Sequence, residues 1–187
     1  NAIYRSGHLQ NSITVDPYSL ERTEVIFGPS SVGYGSDALG GVIHFYTKKP
    51  RLNRQKVFNL SQSISYNLID YSKVNNFSFE ISKKKWASYT NFTRSKFGDM
   101  VMGKNRTHNF SGWGLNNFYP DRRKLNTKII NEDPNIQKNT AYNQIDLLQK
   151  FNFKINEDVN FILNFQFSES SNVDRYDKLN ELDNIGD

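Results

Sequence analysis

His8, His44 and His108 are the only imidazoles in this chain of 187 residues, and imidazole is a common axial ligand of haem iron. His8 and His108 stand among polar neighbours and are candidate haem ligands, with a solvated loop histidine as the plainer alternative for each. His44 lies inside an apolar run and reads as a packed, hydrogen-bonded residue. Around His108, residues 98–140 also hold Lys104, Arg106, Trp113, Tyr119, Arg122 and Arg123. Cations and aromatic rings in one segment suit an anionic or planar ligand, such as a ferric chelate or haem. Catalysis finds less support. The absence of cysteine excludes thiol chemistry, Cys-based zinc sites and disulfides. The acids Glu21, Glu24, Asp37 and Asp99 are dispersed, and no Ser, His and Asp set shares an evident framework. The reading assigns no enzyme activity, catalytic residue, metal site or cofactor.

A second chemical candidate is the glycine-rich stretch holding Gly28, Gly33, Gly35, Gly40 and Gly41. Such runs can cradle phosphate, but a P-loop needs Gly-Lys followed by Ser or Thr, which is absent. The spacing is not the dinucleotide fingerprint, and no long helix with an acidic residue some twenty positions on follows it. Arg22–Phe27 reads as a short strand ended by Gly28-Pro29, with Pro29 able to start a helical turn. A second strand resumes over Gly41–Thr47.

The elements that carry these residues follow two grammars. Residues 1–50 are dense in Gly, Pro and small polar residues; residues 51–56 read as a linker after Pro50, which blocks strand continuation. From 57 onward the chain alternates. Phe58, Leu60, Gln62, Ile64, Tyr66 and Leu68 are interleaved with Asn59, Ser61, Ser63, Ser65 and Asn67, a period of two that puts one set on each face of a strand. Phe77, Phe79 and Ile81 repeat the pattern, as do Ile145, Leu147, Phe151 and Phe153, and then Phe161, Leu163, Phe165 and Phe167. Residues 86–97 are aromatic but alternate poorly. Tight turns are expected at Lys83–Lys85 and at residues 155–158, and a connection of roughly forty residues over 98–140 far exceeds ordinary loops. Short turns at one end and long loops at the other are the habit of outer-membrane barrels. A soluble β-sandwich also alternates, though with shorter strands. No run is long and apolar enough for a membrane-spanning helix. The net charge of +5 is scattered except at Lys83-Lys84-Lys85 and Arg122-Arg123-Lys124, which speaks against a nucleic-acid partner.

Ser19-Leu20-Glu21-Arg22-Thr23-Glu24-Val25, Gly28-Pro29-Ser30-Ser31, Tyr34-Gly35-Ser36-Asp37-Ala38-Leu39-Gly40-Gly41-Val42-Ile43 and Thr47-Lys48 occur in an order and spacing that resembles the end of the plug domain of TonB-dependent receptors. The resemblance implies a mainly β chain: the C-terminal part of a plug over 1–50, the linker 51–56, and about five antiparallel strands of a 22-stranded transmembrane barrel over 57–187. It implies an active importer of a scarce nutrient in a Gram-negative outer membrane, its cargo an iron complex, siderophore or haem. TonB, with ExbB and ExbD, is the expected partner, reached through a segment preceding residue 1, and lipid surrounds the barrel. Glu21, Arg22, Glu24, Gly28, Pro29, Tyr34, Gly35, Gly40 and Gly41 become the plug motif, with Arg22 and Glu24 expected to pair with charges on the barrel wall. The loop from Asn1 to Asp16 is expected to face the extracellular vestibule, which makes Tyr4, Arg5, His8, Gln10 and Asn11 candidate ligand contacts beside Arg106, His108, Trp113 and Arg122. The rival readings are a passive porin, against which the plug motif speaks, and a secreted β-rich binding protein. The isolated chain, with two unpaired sheet edges, is expected to be insoluble.

Overall fold

The computed structural model describes residues 2–3, 12–13, 15–28, 33–34, 41–105, 112, 114–121, 124 and 127–172. These are mainly β, in antiparallel sheets. Strands β1 (Ala2–Ile3) and β2 (Ser12–Ile13) pair with each other. A 3-10 turn, Pro17–Ser19, then opens under Asp16, whose side chain accepts from the Tyr18 amide at 3.0 Å. Proline at the first position fits because its missing N–H has no intrahelical partner there. β3 (Leu20–Phe27) and β4 (Gly41–Thr47) form an antiparallel hairpin with Glu24 opposite His44 and Arg22 opposite Tyr46.

Five longer strands follow: β5 (Val57–Tyr66), β6 (Lys73–Ser82), β7 (Trp86–Phe97), and, after short strands, β12 (Tyr142–Lys154) and β13 (Asn160–Ser170). They make one sheet in the order β13-β12-β7-β6-β5, so chain neighbours are sheet neighbours. The turns explain the order. The Lys83 amide bonds the Trp86 carbonyl at 2.9 Å across Lys84-Lys85. Ile155 bonds Val159 at 3.0 Å, with Asn156 Oδ1 accepting from the amides of Asp158 and Val159. Asn67 closes on Ser72 at 2.9 Å, and Tyr71 takes a φ of 56° inside that turn. Residues 86–97, whose alternation is poor in the sequence, form a full strand of 12 residues. Their pattern is obscured because Ala87, Ser88 and Tyr89 are all buried in succession.

By packing, the chain divides into two compact units. The first draws on Asn1–Gln62, Asn76–Thr93 and Asp146–Ser168, and contains the β3-β4 hairpin and the tight-turn ends of the long strands. The second draws on Ser63–Asn75, Arg94–Ile145 and Glu169–Asp187. In it the long connection is itself folded: β8 (Met100–Val101) pairs with β11 (Ile136–Gln137), and β9 (Phe118–Pro120) with β10 (Lys128–Ile130). Buried Asn131 ties these pairs together, its Nδ2 donating to the Asn116 and Ile136 carbonyls at 2.8 Å each. Gly98 comes so close to Asp70 that a Cβ there would lie 1.6 Å from the Asp70 carbonyl oxygen.

Burial on the five-stranded sheet is inverted relative to a soluble protein. Most buried side chains of its middle strands are polar, among them Asn76, Ser78, Ser82, Asn91, Thr93, Ser95, Asp146 and Lys150, with Ala87, Tyr89 and Leu148 the apolar ones. The large apolar side chains face out instead: Phe58 is 60% exposed, Phe77 42%, Phe161 54% and Phe165 54%. Side-chain bonds fix the faces. Asn76 Nδ2 donates to Asn91 Oδ1 and Thr93 Oγ1, and Ser168 Oγ to Asp146 Oδ1, so the polar sets of β6, β7, β12 and β13 share one face. Phe153 and Phe161 stack on the other, their centroids 6.5 Å apart.

Candidate functional site

Asp16 is the centre of the site. Its Oδ2 accepts from Asn91 Nδ2 and from Thr93 Oγ1, both at 2.6 Å, while its Oδ1 holds the Tyr18 amide. Asn91 and Thr93 are each 1% exposed and Asp16 7%, so these bonds form where water does not compete. Asn76 closes the cluster through Asn91 and Thr93, leaving the buried polar groups partnered, as burial demands. The consequence is mechanical. The segment leading into β3 is fastened to the polar face of the sheet through a residue some 75 positions away in the chain.

Further fastenings line up beyond it. Lys150 Nζ donates to Thr47 Oγ1 at 2.5 Å and to the Thr47 carbonyl at 3.2 Å. Asn152 Nδ2 donates to the Pro50 carbonyl at 3.2 Å, and the Arg51 amide to Glu80 Oε1 at 3.2 Å. Glu21 accepts from Arg51 Nη2 at 2.8 Å, with the Arg51 side chain largely exposed. Together these bonds seat both ends of the β3-β4 hairpin against strands β6, β7 and β12.

The free flank of the hairpin carries a polar and aromatic ladder. Arg22 Nε meets Glu24 Oε1 at 2.7 Å, and Arg22 Cζ sits 3.7 Å over the Tyr46 ring. Glu24's hydrogen bond raises the Arg22 pKa, and Arg22 in turn holds the Glu24 carboxyl below the usual carboxylate range. Arg22 and Glu24 thus bind each other along one face of β3, with both side chains still exposed. His44 stacks on Tyr46 at 4.1 Å and meets Tyr34 edge-on at 6.1 Å. It is packed as expected, but its buried Nδ1 has no hydrogen-bond partner among the described residues, so the expected hydrogen bond is not made at that atom. Gly28 lies just past the end of β3. Gly41 has a φ of 147° and faces the Ile26 carbonyl, which a Cβ would approach to 2.9 Å; any other side chain there would strain the hairpin.

Of the candidate ligand contacts, Tyr4, Arg5, His8, Gln10, Asn11, Arg106, His108, Trp113 and Arg122 all lie outside the described residues, as do Pro29, Gly35 and Gly40 of the motif. The structure therefore gathers the motif residues Glu21, Arg22, Glu24, Tyr34 and Gly41 on or beside one hairpin. It adds Asp16, Glu80, Asn91, Thr93, Lys150 and Asn152, which the sequence does not mark as site residues, and gives Thr47 of the motif a partner in Lys150. The signal that could have found part of this set is the odd-numbered run Asn91, Thr93, Ser95 on β7, small and polar along a face shared with Ala87.

Comparison with known proteins bears on the same region. The family model described as TonB-dependent Receptor Plug Domain matches residues 2–42. The chain is similar to a ferrichrome outer membrane transporter/phage receptor of Escherichia coli (strain K12), 40% identical over 50 residues, which is 27% of this chain and 7% of the relative. A ferrioxamine receptor of Yersinia enterocolitica is 42% identical over 55 residues, 29% of this chain and 8% of that protein. A hemin receptor of the same organism is 52% identical over 42 residues, 22% and 6% respectively. Each alignment thus spans less than a tenth of the curated relative. No solved structure matches the chain. On the plug match and the relatives that share it, residues 2–42 are a plug-domain segment of the kind found in TonB-dependent receptors.

Proposed function

We propose that the chain is the joint between plug and barrel wall in an outer-membrane importer of an iron complex, with the plug ending near residue 50, a linker over 51–56 and the wall beginning at 57. The observation that carries this is the inverted sheet: its polar face is fastened to the plug hairpin through Asp16, Thr47 and Pro50, while its apolar face is bare. In water, exposing Phe58, Leu60, Ile64, Phe161, Leu163 and Phe165 on one surface is unfavourable by about 25 cal/mol for each Å² left wet; in lipid that cost disappears. Strands of 10 to 13 residues match or slightly exceed the roughly 9–11 that a tilted barrel strand needs to cross a bilayer. A passive porin has no use for a segment clasped into its lumen, and a secreted protein has none for the bare apolar face.

In this reading the cargo is a siderophore or haem, the chemistry named in the three relatives. Transport draws energy through TonB with ExbB and ExbD. The plug must yield for cargo to pass, and the bonds at Asp16 and Lys150 are what must break or stay while it does. Tyr4, Arg5, His8, Gln10, Asn11, Arg106, His108, Trp113 and Arg122 are the proposed cargo contacts. The test is uptake of radioactive iron by cells that depend on the full-length receptor, supplied in turn as ferrichrome, ferrioxamine and haem. Accumulation that stops when TonB is deleted supports the reading. Accumulation indifferent to TonB would point to a passive channel, and no accumulation of any of the three would reject an iron cargo of these classes.

A further inference from the structure

At the loop end of the sheet, in the second unit, an open cavity of about 410 Å³ is lined by Tyr66, Tyr71, Lys73, Lys96 and Lys138. Carrying the pairing on from the Lys83–Trp86 closure without slippage places Lys73 directly opposite Lys96, a register that the bonds from Asn76 to Asn91 and Thr93 support. Like charges in directly opposed positions repel, so the pair costs stability unless something anionic lies between. Among the described residues, no carboxylate is ion-paired with either lysine. Asp70 and Asp99 also line the cavity, and two carboxylates against three lysines leave it net cationic. Asp70 accepts from the amide and hydroxyl of Ser72, and Asp99 Oδ1 from the amides of Thr140 and Ala141 at 3.0 Å each. No ion pair joins either to the three lysines among the described residues. The Lys73 amine lies 5.3 Å from the centroid of the Tyr66 ring.

The faces matter as much as the charge. Lys73 is on the face of β6 that carries Phe77 and Phe79, Lys96 on the face of β7 that carries Phe92, and Tyr66 on the face of β5 that carries Ile64, which is 72% exposed. Lys73 and Lys96 are therefore on the apolar side of the sheet, not on the plug side, and Lys138 reaches the same cavity from the long connection. Aromatic and cationic residues at the end of an apolar band are suited to the level of lipid headgroups.

We propose that Lys73, Lys96 and Lys138 bind the phosphate of a membrane lipid headgroup, with Tyr66 and Tyr71 flanking it and the acyl chains running past Ile64. This rests on the barrel reading above. The cargo sites of that reading are elsewhere, so the two can fail separately. The test is native mass spectrometry of the full-length receptor, delipidated in detergent, with dioleoyl phosphatidic acid, dioleoyl phosphatidylcholine or inorganic phosphate added. Phosphatidic acid should be retained in preference to phosphatidylcholine. Replacing Lys73, Lys96 and Lys138 together by Gln should weaken retention by roughly fivefold for each charge removed. The matching triple Arg variant should retain the lipid, and Lys84→Gln with Lys85→Gln at the opposite end of the strands should change nothing. Unchanged retention in the triple Gln variant would overturn the proposal. So would equal retention of phosphatidylcholine, or displacement of phosphatidic acid by millimolar inorganic phosphate, which would indicate a free-anion site. A receptor that stays monodisperse in plain buffer without detergent would instead overturn the barrel reading itself.

Discussion

Replacing Asp16 by Ala removes the one group that both opens the 3-10 turn and bonds β7. Two bonds of 2.6 Å to a buried carboxylate are lost together. Hydrogen bonds to charged groups contribute about 1.5–3 kcal/mol each, which bounds the loss at roughly 3–6 kcal/mol. The lower end applies, because Asn91 Nδ2 keeps a longer contact with Thr93 Oγ1 at 3.4 Å and Asn76 still donates to both residues. A loss of about 3 kcal/mol multiplies the opening equilibrium of the segment by on the order of 150. Asp16→Asn keeps an acceptor and should lose about half that free energy. The assay is hydrogen exchange on the full-length receptor, read at the amides of Ser19 and Lys48, which bond the Asp16 and Ser19 carbonyls at 3.0 and 2.9 Å. Faster exchange there in the order wild type, Asn, Ala is the expected result. Equal exchange in all three would show that Asp16 does not fasten the plug segment to the sheet.

Three further outcomes follow from the same geometry. Because Arg22 holds Glu24 below the ordinary carboxylate range, the pair's contribution is complete only well above the ordinary glutamate value of 4.5 and is lost as pH falls from there through the lowered value; Arg22→Gln should move the Glu24 titration, followed by carboxyl carbon NMR, back up. Gly98→Ala forces a methyl against the Asp70 carbonyl, at a cost of about 1–3 kcal/mol, and limited proteolysis should then cut the 67–72 turn faster. Leu163→Arg on the apolar face should cost about 2–4 kcal/mol of folding stability in a bilayer, whereas Asn164→Arg, its neighbour on the opposite face, should cost much less; equal effects in bilayer refolding would argue against a lipid-facing surface.

Much of the fold is legible in the sequence because period-two alternation and turn residues are local signals. The hairpin β3-β4, the turns at Lys84-Lys85 and Asn156, and the five long strands can be read this way. β7 is the faintest of them because Ala87, Ser88 and Tyr89 interrupt its alternation, although hydrogen bonding on both sides makes it a central strand. The plug motif is legible for a different reason: Gly41 is required by backbone geometry, so its residue type records the structure. Asp16 is not legible. An Asp before a Pro reads as a turn, and nothing local shows that its second oxygen meets a strand some 75 residues on. Lys150 is hidden likewise, since a lysine in a strand reads as a surface cation until its amine is found at Thr47. His44 shows the limit within one residue: its packing follows from its apolar neighbours, while the bare Nδ1 depends on what stands across the hairpin.

The account stands on β5–β7, β12 and β13 forming a wall with lipid on one face and plug or water on the other. The 187 residues contain no cysteine, so single cysteines placed along residues 58–65 of the full-length receptor can be spin-labelled one at a time in bilayers. The account expects labels at 58, 60 and 64 to be quenched by oxygen dissolved in lipid, and labels at 59, 61, 63 and 65 to be shielded from it. Accessibility without a period of two, or lipid contact at the Asn and Ser positions, would contradict it.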